Sequence, residues 1–383
     1  MNLISDTQSL AEVCARLQRE AFVTVDTEFM RETTYWAKLC LVQIGGDNEA
    51  HAIDPLAPGI DLKPLYEMFA DAKVLKVFHA ARQDLEIFLH EGGALPHPVF
   101  DTQVAAMVCG FGDQVGYETL VNKLAGAQLD KSQRFTDWSR RPLTDRQVKY
   151  ALGDVTHLRK VYGELQRRLE RTARTPWLTE EMAVLTNEKT YRVEPRDAWK
   201  RIKTRLRSGR MAAVLRELAA WREEAARTLD WPRQRVAKDE ALAELAAHPP
   251  ETVDDIKRSR LAKSLGAERF SPGILAACAR AKAGAESDWP HVQNNDAADQ
   301  GPRAMVELLK LLLKVKSEAH QVAPRLIASS DDIEEIAKSD NAEVEAMSGW
   351  RREIFGEDAI KLKAGKLAVA LGKGGAAVEF FER

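Results

Sequence analysis

The sequence predicts an α/β domain, a mixed sheet flanked by helices, followed by two small all-α domains. Segments rich in β-branched and apolar residues alternate with helical patterns over roughly the first 170 residues. Strand signals nearly vanish after Val193, where apolar residues recur at helical spacing. In this helical half, an offset of 91 residues aligns two stretches, which indicates an internal repeat.

The elements of the first domain can be predicted in chain order. Four segments have the apolar, β-branched or alternating character of strands: 21–27, 36–45, 49–54 and 74–78. A helical segment, 80–90, follows the last of them and ends before a Gly-Gly pair. The chain from 117 to 169 is mainly helical, with a loop at 132–143. Strands followed by strand–helix alternation indicate a sheet with helices packed on it.

The helical half is predicted to hold two copies of one small domain. With the 91-residue offset, Val214, Leu218 and Trp221 align with apolar residues of the second copy, which are Met305, Leu309 and Leu312. The predicted domains are 1–195, 207–285 and 298–380, with a polar linker at 284–302. The alternative to a true repeat is a chance similarity between amphipathic helices.

Charge and cysteine content restrict the class of protein. The 383 residues carry a net charge of −2, but residues 1–100 carry −7 and residues 101–250 carry +7. An acidic part beside a basic part is typical of a cation-dependent enzyme that acts on a polyanion. The four cysteines have no metal-ligand spacing, which favours a reducing cytoplasm. We find no signal-peptide pattern and no apolar run long enough to span a membrane, so we expect no membrane partner.

Four acids and one tyrosine form the candidate catalytic set. Asp26 and Glu28 lie two apart at the end of a strand, so their side chains share one face. Asp84 is expected in the first turns of a helix. Tyr150 and Asp154 are spaced i, i+4 and share a helix face. Each feature alone also fits an ordinary structural role, but together the carboxylates could hold two divalent cations that clamp a phosphodiester.

These motifs resemble the DEDD family of 3′→5′ exonucleases in its tyrosine variant. The surrounding segments 25–45, 78–87, 100–106, 137–143 and 147–158 are similar to the bacterial ribonuclease D family. In that family the exonuclease domain has a ribonuclease H-like mixed sheet and is followed by two HRDC domains. The resemblance covers nearly the whole chain. It is strongest over 21–160 and weakest in the second helical copy.

The resemblance implies a hydrolase that removes nucleotides from the 3′ end of RNA and releases nucleoside 5′-monophosphates. Asp26, Glu28, Asp84 and Asp154 match the ligands of two divalent cations, Mg²⁺ or Mn²⁺, and Tyr150 matches the residue that orients the attacking water. The expected partners are tRNA precursors with 3′ extensions and other small structured RNAs, bound by a monomer. The alternatives are a DNA 3′→5′ exonuclease and a catalytically dead nucleic-acid-binding protein.

Further residues are candidates for RNA contacts. Phe29 and Met30 could stack on the terminal base, although Phe29 is equally compatible with a place in the core. The other candidates could reach a phosphate or grip the strand: His79, Trp138, Arg140 and Arg141. Six basic residues and no acid lie within 199–210, which makes this segment a candidate RNA track. We expect the helical domains to contribute RNA contacts and no chemistry.

Overall fold

The structure, a computed structural model, describes residues 3–130, 132–134, 136–258, 267–292, 303–371 and 378–382. The strands are β1 (Leu3–Ile4), β2 (Phe22–Met30), β3 (Lys38–Gly45), β4 (Ala50–Ile53), β5 (Leu75–Phe78), β6 (Val99–Asp101), β7 (Leu367–Leu371) and β8 (Val378–Glu382). The helices of the first domain are α1 (Thr7–Leu17), α2 (Lys63–Ala70), α3 (Arg82–Gly92), α4 (Thr102–Val108), α5 (Tyr117–Leu120), α6 (Asp145–Arg171) and α7 (Thr175–Leu185). Those of the helical half are α8 (Gly209–Leu229), α9 (Arg233–Val236), α10 (Asp239–Ala247), α11 (Val253–Arg258), α12 (Ala267–Ala283), α13 (Arg303–His320), α14 (Pro324–Ile327), α15 (Ser330–Lys338), α16 (Gly349–Arg351) and α17 (Glu357–Lys363). Among the described helices, none combines the length and apolar character that a membrane crossing needs.

Six strands form one mixed sheet in the order β1-β4-β3-β2-β5-β6. The β2–β3 and β3–β4 pairs are antiparallel, whereas β5 runs parallel to both β2 and β6. The four predicted strands correspond to β2 to β5, and the short β1 and β6 were not predicted. Strands of two or three residues carry too few side chains to produce a recognisable pattern.

Helices cover both faces of this sheet. Val23 and Val25 of β2 face one apolar core, which also contains buried residues of α1, α2 and α3. The alternate residues of β2 face α6, and Thr24 donates a hydrogen bond from Oγ1 to the carbonyl oxygen of Val155, at 2.8 Å. Because side chains alternate along a strand, Asp26 and Glu28 lie on the α6 side with Thr24.

The helical half contains two further apolar cores, and its elements repeat. α9 and α14 differ by 91 residues at both ends, and so do α10 and α15. This is the offset that the sequence predicted. The hairpin formed by β7 and β8 was not predicted, because it is short, partly exposed and lies far beyond the last clear strand signal. Residues 259–266, 293–302 and 372–377, which belong to the predicted helical domains and linker, lie outside the described residues.

The first helical domain binds the turn between β2 and β3 through a buried polar network. The Tyr35 side chain is 6% exposed, and its hydroxyl donates a hydrogen bond to Glu223. That hydroxyl also accepts from Arg233 at 2.9 Å and from Arg227 at 3.0 Å. Asp230 accepts the backbone N–H groups of Tyr35 and of the next residue, both at 3.0 Å. The first helical domain therefore holds the turn between β2 and β3 in place.

The second helical domain packs against α7 and the turn that precedes it. Trp350 stacks on Trp177 with ring centres 4.6 Å apart and planes 11° from parallel. Arg351 forms an ion pair with Glu181 of α7. Arg174 donates hydrogen bonds to the carbonyl oxygens of Val108, at 2.9 Å, and of the end of α13. Both helical domains therefore contact the α/β domain directly.

Candidate active site

The strand β2 carries two acids beyond the point where its neighbour β5 ends. β2 pairs with β5 only from Phe22 to Thr24, whereas its pairing with β3 continues to Met30. Asp26 and Glu28 therefore lie beyond the end of the β2–β5 pairing, on a part of β2 that is still paired with β3. The β2–β3 register shifts between Glu28 and Phe29, and such a bulge re-aims the side chains beside it.

Asp84 is placed by the turn between β5 and α3. The carboxylate of Asp101 accepts the backbone N–H groups of Ala80, at 3.0 Å, and Ala81, at 2.8 Å. Ala80 has a φ of 58°, a left-handed conformation that a residue with a Cβ rarely adopts, so these bonds hold a strained turn. Asp84 follows in the first turn of α3, is 6% exposed, and accepts a hydrogen bond from the hydroxyl of Thr27.

The helix α6 brings the tyrosine and the last acid to β2. Its N-terminus is fixed by a capping box between Thr144 and Gln147. Tyr150 and Asp154 lie one turn apart, and Val155, the next residue, is bonded to β2 through its carbonyl oxygen. One carboxylate oxygen from each of Asp26, Glu28 and Asp154 lies within 4.8 Å of the other two.

The electrostatics of this group are those of crowded, buried acids. Burial, followed by the charges of Asp26, Asp154 and Asp84, raises the pKa of Glu28 to about 9. Burial and then Asp26 raise the pKa of Asp154 to about 8, and burial raises that of Asp26 to about 6. The pKa of Asp84 is also raised, first by burial and then by Asp26. Asp84 is outside the group of three at 4.8 Å, but its charge contributes to the raised pKa of Glu28, and Asp26 contributes to that of Asp84.

A cavity of about 310 Å³ opens beside the acids. Its lining includes Asp26, Asp154, Tyr150 and Tyr117. Burial, and then the charge of Asp154, raises the pKa of Tyr150, so its phenol stays protonated at neutral pH. Tyr117 donates a hydrogen bond from its hydroxyl to the backbone carbonyl of Asp154, which fixes that turn of α6. The site therefore combines carboxylates, a neutral phenol and room for part of a substrate.

Comparison with known proteins identifies the family. Residues 1–170 match the 3′-5′ exonuclease family, and residues 211–278 match the HRDC domain. The chain is 54% identical to the ribonuclease D of Jannaschia sp., with 96% of each chain covered. It is 50% identical to the ribonuclease D of Nitrobacter hamburgensis, with 98% of each covered. The chain belongs to the ribonuclease D family.

A solved structure agrees with this assignment. The crystal structure of Escherichia coli RNase D superposes with a TM-score of 0.83 at 32% sequence identity, covering 95% of this chain and 98% of that one. That protein is described as an exoribonuclease involved in structured RNA processing. The predicted family and fold class, an exonuclease domain with a mixed sheet flanked by helices followed by HRDC-type helices, are confirmed.

Three of the residues proposed for RNA contacts lie beside the acids. His79 lines the cavity, and its imidazole Nδ1 is 3.0 Å from the hydroxyl of Thr102. Burial lowers the pKa of His79, which favours the neutral ring. Phe29 is half-buried against the core under α1 to α3, and Met30 is half-buried in the cluster that contains Tyr150. Phe29 and Met30 therefore serve in part as core residues.

Two of the residues proposed for RNA contacts are engaged by other parts of the protein. Trp138 is only 3% exposed and packs in an apolar cluster, with its ring centre 6.0 Å from that of Tyr150. Arg141 binds both carboxylate oxygens of Asp54, at 2.6 and 2.7 Å, and also the carbonyl oxygen of Cys40. These contacts fasten the loop before α6 to β3 and β4. Arg140, by contrast, is 83% exposed at its side chain, paired only to Asp137 among the described residues.

Three residues near the site were not predicted from the sequence. Thr27 lies between two predicted ligands, and its bond to Asp84 links β2 to α3. Tyr117 is 37 residues from Asp154, so no local spacing relates them. Arg134 lines the cavity, and its positive charge acts on Tyr150. The basic character of the loop was visible in the sequence, but which arginine reaches the cavity depends on the fold of that loop.

Proposed function

We propose that this chain shortens RNA from its 3′ end, one nucleotide at a time, by hydrolysis at the acidic group beside Tyr150. Membership of the ribonuclease D family makes it a 3′→5′ exoribonuclease. The observation that carries the residue assignment is the convergence of Asp26, Glu28 and Asp154 within 4.8 Å at a cavity. Asp84, in the first turn of α3, is proposed as the fourth acid.

The donor set fits divalent cations. The acids offer only oxygen atoms, which Mg²⁺ and Mn²⁺ prefer. Burial, followed by the charges of neighbouring acids, raises their pKa values, and a bound cation would favour the ionised carboxylates. Two such ions would supply activation of the attacking water and stabilisation of the leaving oxygen. We propose Asp26, Glu28, Asp84 and Asp154 as the residues that hold them, with either Mg²⁺ or Mn²⁺.

The side chains around the acids have separable roles in this proposal. The protonated phenol of Tyr150 can hold a water in line with the scissile P–O bond, because it lines the cavity next to Asp154. It is unsuited to act as a base, since its pKa is raised. Arg134 and His79, on the cavity wall, are placed to bind the phosphate of the terminal nucleotides.

The basic segment 199–210 supports binding of a longer RNA. Its six basic side chains are exposed, and the segment leads from the α/β domain into α8. Phosphate contacts by exposed Lys and Arg contribute salt-dependent affinity. Because the relative from Escherichia coli processes structured RNA, we propose 3′-extended tRNA precursors as substrates. We also propose that the protein acts as a monomer in the cytoplasm, where its four free cysteines would stay reduced.

The test is to incubate the protein with a 3′-extended tRNA and with DNA of matched sequence, in Mg²⁺, Mn²⁺ or EDTA. We expect stepwise 3′ shortening of the RNA with either metal, no reaction in EDTA, and little shortening of the DNA. Preferred cleavage of the DNA would support the alternative, a DNA exonuclease. No cleavage of either substrate would support a catalytically dead binding protein.

The residue assignment requires a matched pair of variants on one helix. Asp154→Asn removes a proposed ligand, whereas Asp145→Asn makes the same charge change at the exposed start of α6. We expect Asp154→Asn to abolish turnover with the fold intact, and Asp145→Asn to retain it. Asp26→Asn should behave like Asp154→Asn. Turnover at the wild-type rate in either of the two site variants would contradict the metal assignment.

A further inference from the structure

Gln43 is a buried polar residue in the middle of β3. Its side chain is 0% exposed. Neither the amide nitrogen Nε2 nor the amide oxygen Oε1 has a hydrogen-bond partner within the part of the chain that the structure describes. Buried polar groups are nearly always paired, so a fully buried amide with both atoms unpaired needs an explanation.

The strand register places Gln43 beside a proposed metal ligand. Gln43 lies directly opposite Asp26 in the antiparallel β2–β3 pair, and opposite Ala52 in the β3–β4 pair. Residues directly opposite each other in an antiparallel pair project from the same face, with Cβ atoms about 4.5–5.5 Å apart. The Gln43 amide therefore lies on the face of the sheet that carries Asp26 and Glu28.

Several neighbours of Gln43 on this face are buried and apolar. Leu41 and Ala52, which flank Gln43 on this face, pack in one buried cluster with Val148 and Ala151 of α6. Two residues further along β3, a Cβ on Gly45 would lie 3.3 Å from the Cβ of Val155, so α6 leaves little space at that end of the strand. On the β4 side the nearby carboxylate of Asp54 is already bound by Arg141, whereas on the β2 side Gln43 directly faces Asp26.

We propose that Gln43 is a positioning residue for the metal site, whose amide Nε2 donates a hydrogen bond to the Asp26 carboxylate when that carboxylate binds a divalent cation. The inference rests on the proposed function, because it takes Asp26 as a ligand. Hydrogen bonds to ligating carboxylates fix their orientation and raise metal affinity. A neutral amide suits this position, since a Lys or Arg would compete with the cation and a further acid would add repulsion.

The proposal predicts that one substitution stabilises the metal-free protein and weakens its binding of metal. Gln43→Met keeps the length and volume of the side chain and removes the amide. In metal-free protein this removes an unpaired buried polar group, so the Tm should rise by about 2–4 °C. The Kd for Mn²⁺, measured by titration without RNA, should rise by on the order of 10–100-fold. A residue that only supports the fold would lower the Tm and leave the Kd unchanged.

Gln147→Met is the matched control, because Gln147 is also buried but its amide oxygen accepts the backbone N–H of Thr144 at 2.9 Å. It should lower the Tm without changing the Kd for Mn²⁺. A Gln43→Met protein with the wild-type Kd for Mn²⁺ would overturn the inference. The Kd of Asp26→Asn for Mn²⁺ is measured as well. If this variant binds Mn²⁺ as tightly as the wild type, the proposed metal site is refuted, and this inference with it.

Discussion

Replacing Glu28 by glutamine should stabilise the metal-free protein. Glu28 is in a crowded acidic group, and its pKa is raised from 4.5 to about 9. A carboxyl whose pKa is raised in the folded state binds more protons folded than unfolded, so it lowers stability as the pH rises from the unfolded pKa to the folded one. Glutamine has nearly the same shape and no proton to lose, so the variant avoids this loss.

The magnitude follows from the pKa difference. At pH 7 the unfolded carboxyl is ionised and the folded one is still protonated. The free energy of unfolding falls by 1.36 kcal/mol per pH unit above the unfolded pKa, so Glu28 lowers it by up to about 3 kcal/mol at pH 7. At pH 5 the same reasoning gives less than about 1 kcal/mol. The gain from Glu28→Gln should therefore be large at pH 7 and small at pH 5.

The assay is calorimetric unfolding in EDTA at both pH values, following the transition that Mg²⁺ shifts in the wild type. A gain of about 3 kcal/mol corresponds to a Tm increase of about 6–12 °C in a domain of this size. Glu12→Gln, on the exposed side of α1, is the control for the change in net charge. The reasoning is refuted if Glu28→Gln is no more stable than Glu12→Gln at pH 7, or if its gain is the same at pH 5.

Other predictions concern turnover and RNA binding. Tyr150→Phe should lower the single-turnover rate by on the order of 10²-fold or more, because the hydroxyl is lost, and should keep RNA affinity, because the ring remains. Tyr162→Phe, on the same helix, should leave the single-turnover rate unchanged. Arg134→Ala should raise KM for a short RNA more than Arg140→Ala, because only Arg134 lines the cavity; equal effects would argue against a cavity role. A chain ending at residue 195 should lose kcat/KM on short and structured RNA alike, because the β2–β3 turn loses its buried partners. Normal activity of that shorter chain on a short RNA would show that the turn holds its conformation alone.

The last of these predictions changes an expectation from the sequence. The charge pattern and the repeat indicated helical domains that contact RNA and contribute no chemistry. The network around Tyr35 adds a structural role, because the first helical domain binds the turn that follows the acid-bearing strand. Contacts between residues nearly 200 positions apart leave no local pattern, so sequence periodicity could not reveal them.

The sequence by itself determined the order of the elements, the repeat and the candidate acids, because these depend on local spacing. Asp26 and Glu28 share a face by strand geometry, and Tyr150 and Asp154 by helix geometry, whatever surrounds them. Whether such pairs meet is a matter of tertiary structure, because it depends on how β2 and α6 pack.

Tertiary structure also decided which polar residues are accessible. Trp138 and Arg141 looked like RNA contacts in a basic loop, but packing buries the first and Asp54 binds the second. Gln43 looked like one more residue of an apolar strand until the β2–β3 register placed it opposite Asp26. Local spacing fixes the direction in which a side chain points, whereas burial and partners depend on segments that are distant in sequence, and only the folded chain brings these together.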